Sequence, residues 1–200
     1  ACSFDRHLVG KVAKAIAKEA KANQVSMVLG TGINIKRSPL CGRNFEYFSE
    51  DPYLAGELGY AYVSHMEKEH IGTSVKHFFC NNQEKYRFFI DSIVDERTLR
   101  EIYLRAFEKV VKANPASIMT SYNKVNGYYT SESPVLKNIL RDEWKYEGLV
   151  VSDWGSISNR IDSIKAGCDL EMPSSKGYRT KQVLDQAAHD KELVDAIDQS

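Results

Sequence analysis

Apolar residues along the chain recur at two alternating spacings, one helical and one strand-like. Over residues 5–23, Leu8, Val9, Val12, Ile16 and Ala20 fall on one face of a predicted helix. Residues 25–29 form a short apolar strand that runs into Gly30-Thr31-Gly32. Asp51-Pro52 supplies a cap and a proline suited to the first helical turn, and Leu54, Leu58, Ala61 and Tyr62 continue that helix toward His70. Residues 72–77 read as a strand. Asp95 opens a helix with Leu99, Ile102, Tyr103, Ala106, Phe107 and Val110 at helical spacing, and Asn114-Pro115 ends it. Residues 117–120 read as a strand. Ser133-Pro134 starts a helix that turns Val135, Leu136, Ile139 and Leu140 inward. Residues 149–151 are the fourth strand, with a helix over 157–166. Residues 168–172 form a short fifth strand stopped by Pro173, and a helix over 178–190 leads into a polar helical tail.

Strict β/α alternation predicts a parallel sheet, because parallel strands require crossover helices. Two architectures compete, an open doubly wound sheet and a (β/α)8 barrel. Gly30-Thr31-Gly32 lacks the third glycine of a dinucleotide fingerprint, and no helix starts behind it. The expected fold class is therefore α/β, an incomplete (β/α)8 TIM-type barrel of about five parallel strands with crossover helices. Five strands are too few to close such a barrel, so its first strands are expected to be missing.

Composition narrows the chemistry. The chain has 200 residues, with 27 basic and 27 acidic side chains and no net charge. That balance argues against a nucleic-acid partner or an anionic membrane surface, and no apolar run approaches the ~20 residues needed to span a bilayer. Cys2, Cys41, Cys80 and Cys168 are scattered, with no C-x-x-C pair. They read as free thiols, neither a disulfide framework nor a zinc site, which suits a reducing compartment and a cytoplasmic protein. The first residue is Ala1 and no signal segment follows it, so the chain is expected to begin inside a longer protein.

Polar side chains gather where the strands end. The first strand leads to Asn34, Lys36, Arg37, Arg43, Asn44 and Glu46, and the second to Lys76-His77. The third leads to Ser121-Tyr122-Asn123, the fourth to Ser152-Asp153-Trp154, and the fifth holds Asp169 and Glu171. In a parallel barrel these ends share one rim. Each residue also has a plainer reading. Asp153 could cap the next helix, Arg43 could bridge Glu46 or Glu50, and Arg87 could be a solvated surface arginine. His77 could be a bonded core histidine, Lys76 a snorkelling lysine and Tyr122 a core-edge tyrosine that orients nothing. On a regular strand Lys76 and His77 would face opposite sides, whereas at a frayed end both can turn inward. A carboxylate beside an indole, as in Asp153-Trp154, suits sugar chemistry, because the acid can attack an oxocarbenium-like carbon while the ring stacks on a pyranose face.

These residues fall in runs that resemble the barrel domain of family 3 glycoside hydrolases, the β-glucosidase family. The runs are Gly32-Ile33-Asn34-Ile35-Lys36-Arg37-Ser38-Pro39-Leu40 and Gly42-Arg43-Asn44-Phe45-Glu46-Tyr47-Phe48-Ser49-Glu50-Asp51-Pro52, then Lys76-His77-Phe78 and Asn81-Asn82-Gln83-Glu84. Thr120-Ser121-Tyr122-Asn123-Lys124-Val125-Asn126-Gly127, Ser152-Asp153-Trp154 and Asp169-Leu170-Glu171-Met172-Pro173 complete the set, in order, over nearly the whole chain. The resemblance implies a retaining, exo-acting β-glycosidase, most simply a β-glucosidase, acting on a β-glucoside or oligosaccharide without cofactor or metal. It implies that Asp153 is the nucleophile. Arg43, Lys76, His77 and Arg87 would bond the terminal sugar, Tyr122 would stand beside the nucleophile, and Trp154 would wall the pocket. Cationic neighbours would hold Asp153 ionised.

The departures from the family pattern are equally informative. An aspartate normally supplied by the early strands has no counterpart here, nor has the acid/base glutamate of a C-terminal α/β domain. The loop after Lys76-His77 has no second histidine, which argues against the β-N-acetylhexosaminidase branch. Residues 1–200 are thus expected to form a partial barrel domain that needs other parts of its own polypeptide and is poorly active alone. The alternatives are a non-catalytic carbohydrate-binding or scaffold fragment, a β-xylosidase, and a Schiff-base aldolase using Lys76.

Overall fold

The structure, a computed structural model, describes residues 2–199. Helix α1 (Arg6–Ala22) is capped by Asp5, whose Oδ1 accepts from the backbone N–H of His7 at 2.8 Å and of Leu8 at 3.1 Å. Helix α2 (Pro52–Lys68) begins as expected, with Asp51 as cap and proline in the first turn. The two helices pack through small residues. Gly10, Ala13, Ala17 and Ala20 are the buried positions of α1, and a Cβ on Gly10 would lie 2.5 Å from the His65 ring. The stripe predicted for α1 is therefore displaced, with Leu8 46 % and Val12 49 % exposed. Close approach selects small side chains, whatever the hydrophobicity of the neighbouring stripe.

Four parallel strands follow one another across the main sheet in the order β1 (Met27–Val28), β2 (Gly72–Phe78), β4 (Ser117–Thr120) and β7 (Leu149–Val151). Met27 pairs with Gly72, Val75 with Ile118, and Ile118 with Val150. The crossovers are α2, a composite helix and a π-helical segment (Leu136–Glu143). The composite helix joins α3 (Glu96–Thr98), a π-helical turn (Leu99–Tyr103) and α4 (Arg105–Val111). Because sequence order never reverses and such crossovers are right-handed, the helices fall on one side of the sheet, as in a barrel and unlike a doubly wound sheet. Among the described residues the sheet is not closed. The predicted fifth strand shrinks to a single parallel bridge, Val151 with Leu170. Helices α5 (Arg160–Ala166), α6 (Tyr178–Ala187) and α7 (Lys191–Gln199) complete the chain.

The core lies between the sheet and its helices. Phe78, Phe79, Phe107, Ile118, Leu136, Leu140 and Val150 are buried there, and Phe78 meets Phe107 edge-on with ring centres 5.2 Å apart. A second small sheet was not expected. It orders β3 (Asp91–Ser92), β5 (Lys124–Val125) and β6 (Tyr128–Tyr129), the last two forming an antiparallel hairpin. The turn is Asn126-Gly127, at φ +50° and +90°, residues suited to a tight hairpin turn with positive φ. The Asn126 side chain also accepts from Val94 N–H at 2.9 Å and donates to Val94 C=O at 2.8 Å, fastening the loop after β2 beside the end of β4.

All four cysteines are free thiols, Cys41, Cys80 and Cys168 buried and Cys2 exposed. Among the described residues no helix is long and apolar enough to cross a membrane.

Candidate active site

The second strand loses its regular register between Val75 and Phe78. This irregularity, of the kind that re-aims side chains at barrel rims, turns both Lys76 and His77 toward polar partners. Lys76 Nζ lies 3.3 Å from Glu46 Oε2. The His77 ring is buried, with Nε2 3.6 Å from Asp153 Oδ2. Asn34 clamps the His77 backbone, accepting from its N–H at 2.7 Å and donating to its C=O at 2.8 Å.

Asp153 leaves the end of β7 just as the apolar run predicts. Ser152 anchors that end, its Oγ accepting from Met172 N–H at 2.8 Å and donating to Met172 C=O at 3.2 Å. Asp153 Oδ1 accepts from Trp154 N–H at 2.7 Å, whereas Oδ2 is buried without a hydrogen-bond partner. Burial pushes the Asp153 carboxyl above the usual carboxylate range, outweighing the opposing pull of Trp154 N–H, Arg43, Tyr122 and Arg87. The cations were expected to dominate, but desolvation of the charged form exceeds them. The same burial, reinforced by Arg43, Lys76 and Arg87, drives His77 well below its usual value, so its ring is neutral.

The remaining expected residues surround this pair. Arg43 bonds Glu46 through Nε, the first of the two partners anticipated for it. Glu46 thus binds both Arg43 and Lys76. Arg87 is not a free surface arginine: it donates to Glu84 at 2.7 Å and stacks 4.3 Å from the centre of the Tyr122 ring. Phe88 meets the Tyr122 ring edge-on, centres 4.6 Å apart. Tyr122 donates its hydroxyl proton to Trp154 C=O at 2.9 Å and favours the ionised form of Asp153. The Trp154 residue is 63 % exposed.

Two expected rim residues do not join the site. Asp169 pairs with Arg141 at 2.7 Å and accepts Val150 N–H, while Glu171 pairs with Arg179 at 2.5 Å. Three others were missed as site residues. Tyr47, Asn81 and Glu84 link Arg87 to His77 through bonds of 2.7–3.2 Å. A cavity of about 810 Å³ opens near the start of β7 between residues such as Lys137, Gly148 and Asp195, and Asp153 does not line it. Its half-buried ions Arg141 and Asp169 satisfy each other.

The geometry is that of a polar cradle around one buried, unpartnered carboxylate oxygen. A family model described as "Glycosyl hydrolase family 3 N terminal domain" matches residues 1–200. The chain belongs to glycosyl hydrolase family 3. Within this family it is 52 % identical over 187 residues to the thermostable beta-glucosidase B of Acetivibrio thermocellus, a match covering 92 % of the chain and 25 % of that protein. It is 49 % identical over 184 residues to an exo-alpha-(1->6)-L-arabinopyranosidase of Bifidobacterium breve, covering 91 % of the chain and 24 % of that protein. The structure of beta-glucosidase 3B from Thermotoga neapolitana in complex with glucose superposes with a TM-score of 0.91 at 41 % identity, covering 98 % of the chain and 29 % of the other. The chain thus spans about a quarter of the length of these family 3 relatives. Its open parallel sheet is a portion of the family's TIM-type barrel.

Proposed function

We propose that this chain is the nucleophile-bearing part of a retaining, exo-acting β-glucosidase. The observation that carries the reading is Asp153 Oδ2, buried at a strand end without a hydrogen-bond partner and ringed by Arg43, His77, Arg87 and Tyr122. Asp153 attacks the anomeric carbon, the glycosidic bond breaks, and the departing oxygen takes a proton from a second carboxylic acid. Water then releases the sugar from the covalent glycosyl-enzyme. Glu46 and Glu84 are engaged by cations, so the proton donor is assigned to polypeptide beyond these 200 residues, as are the early barrel strands. The quarter-length match to the relatives supports that assignment. Arg43, Lys76, His77 and Arg87 hold the hydroxyls of the terminal sugar, and Trp154 walls its open side. Lys76 is paired with Glu46 at 3.3 Å, which gives the Schiff-base alternative no support.

An activated 2-deoxy-2-fluoro-β-glucosyl fluoride tests the reading, since it needs little acid assistance. Peptide mass mapping should find one added fluoroglucosyl group on Asp153. Absence of label, or label elsewhere, refutes it and favours a binding or scaffold role. A second glycone is supported by the relative named an arabinopyranosidase, nearly as similar as the β-glucosidase. Comparing labelling by the corresponding 2-deoxy-2-fluoro glucosyl, xylosyl and arabinopyranosyl fluorides decides among them.

A further inference from the structure

We infer that Tyr47 and Asn81 are positioning residues that hold the imidazole of His77 with its proton on Nε2, the nitrogen facing Asp153. The direction of each hydrogen follows from one end of a buried chain. Glu84 is ion-paired to Arg87 at 2.7 Å and only accepts. The Asn81 group lying 3.2 Å from Glu84 Oε1 is therefore its NH2, and the same nitrogen reaches Tyr47 Oη at 2.9 Å. Tyr47 thus accepts from Asn81 and gives its own proton to His77 Nδ1, 3.2 Å away. A neutral imidazole accepting at Nδ1 carries its single proton on Nε2.

The surrounding groups agree. His77 is faced by the cations Arg43, Lys76 and Arg87 and by Asp153, and burial with those cations keeps its ring uncharged. Burial also pushes the Tyr47 phenol upward, so Tyr47 retains the proton it donates. The Asn34 clamp on the His77 backbone fixes where the ring stands. The opposite tautomer would set a lone pair of Nε2 against the unpartnered Oδ2 of Asp153.

The purpose of this arrangement rests on the proposed function. When Asp153 is esterified by a sugar it becomes a poor acceptor, and the chain from Glu84 still keeps Nε2–H presented as a donor. The arrangement itself is independent of turnover, and so is its test. ¹⁵N-histidine NMR distinguishes the two tautomers, with the His77 signals assigned by their loss in His77→Asn. Asp153→Ala removes the other carboxylate able to select Nε2–H. In that variant the Nε2–H to Nδ1–H ratio should exceed that of a free neutral histidine side chain by about fivefold to tenfold, as one hydrogen bond sustains. Adding Tyr47→Phe should bring the ratio down to the free-histidine ratio. A dominant Nδ1–H form, or a ratio no higher than that of free histidine, in Asp153→Ala overturns the inference, as does an unchanged ratio in the double variant. Because the single variant already decides, the inference stays testable if the double variant fails to fold. Failure of fluoro-sugar labelling would leave these spectra unaffected.

Discussion

Asp153 and Asp169 are both nearly buried carboxylates beside β7, and the chain treats them oppositely. Asp169 Oδ2 accepts from Arg141 at 2.7 Å and from Val150 N–H at 2.6 Å, and Arg141 further donates to the carbonyls of Tyr146 and Gly148. Its charge is compensated, and it staples the strand to the segment running into the Val151–Leu170 bridge. Asp153 receives one bond on Oδ1 and none on Oδ2. A buried polar atom left without a partner costs of order 1–3 kcal/mol, a cost that other groups in the fold must offset. Two acids in similar burial thus divide between holding the fold and presenting an atom to something outside it. The difference lies in partners and not in burial.

Exchanging each acid for its amide or for alanine should break this comparison cleanly. Asp153→Asn should slow fluoro-sugar labelling by about 10⁴-fold or more, the scale on which catalytic groups act. Its melting temperature should hold or rise, since a desolvated charge is removed. A variant that labels normally would move the nucleophile elsewhere. Asp169→Ala should do the reverse. It strands Arg141 and Val150 N–H in a mostly buried setting, where breaking such a pair costs about 3–5 kcal/mol. Urea melts should show that loss, while the folded fraction labels at the normal rate. Equal loss of labelling and stability in both variants would erase the distinction.

Sequence patterning made one half of this comparison legible and misplaced the other. The apolar run 149–151 ending in Ser152-Asp153 places the carboxylate at the strand end, because a buried strand emerges where its hydrophobicity stops. Asp169 carried the same signal at the head of a short apolar stretch. Yet that stretch makes one bridge only, and the partner that claims the acid, Arg141, lies on a distant helical segment. Tyr47, Asn81 and Glu84 sit on loops, where no periodicity marks which side chains meet. Their network depends on long-range approach of residues 30 or more apart. The hairpin at Asn126-Gly127 had a readable turn signal, but flanking strands of two residues are too short for alternation to register.

His77 extends the comparison to pH. Its folded value lies well below its unfolded value of about 6.5. As pH falls through the unfolded value, the unfolded chain takes up a proton that the native ring refuses, so stability drops. Wild-type protein should therefore lose stability relative to His77→Asn below about pH 6.5, with a slope approaching ~1.4 kcal/mol per pH unit. Asp153 has the opposite sign of slope. With its folded value raised, the native state holds its proton longer, and stability declines as pH rises from the unfolded value, which Asp153→Asn should abolish. Chemical melts at pH 3.5, 5 and 7.5 read both slopes, the Asp153 one from its unfolded value of about 3.8 upward, and a flat His77 difference would mean the ring is accessible to protons in the native state.

The smallest effect separates sugar binding from stability within the rim itself. Arg87 lies 4.3 Å from the centre of the Tyr122 ring and bonds Glu84, but its side chain is 32 % exposed. Arg87→Lys retains the charge and discards the planar fork and its stacking on the ring, which lysine does not reproduce. Exposed ion pairs contribute little to folding, so the melting temperature should barely move. The lost stacking and misplaced donors should raise the fluoro-sugar concentration for half-maximal labelling about tenfold, with the maximal labelling rate falling less, since a cation over an aromatic face contributes roughly 0.5–2 kcal/mol. An unchanged half-maximal concentration with a lowered melting temperature would reassign Arg87 to the role that Arg141 plays at the other end of β7, that of a staple.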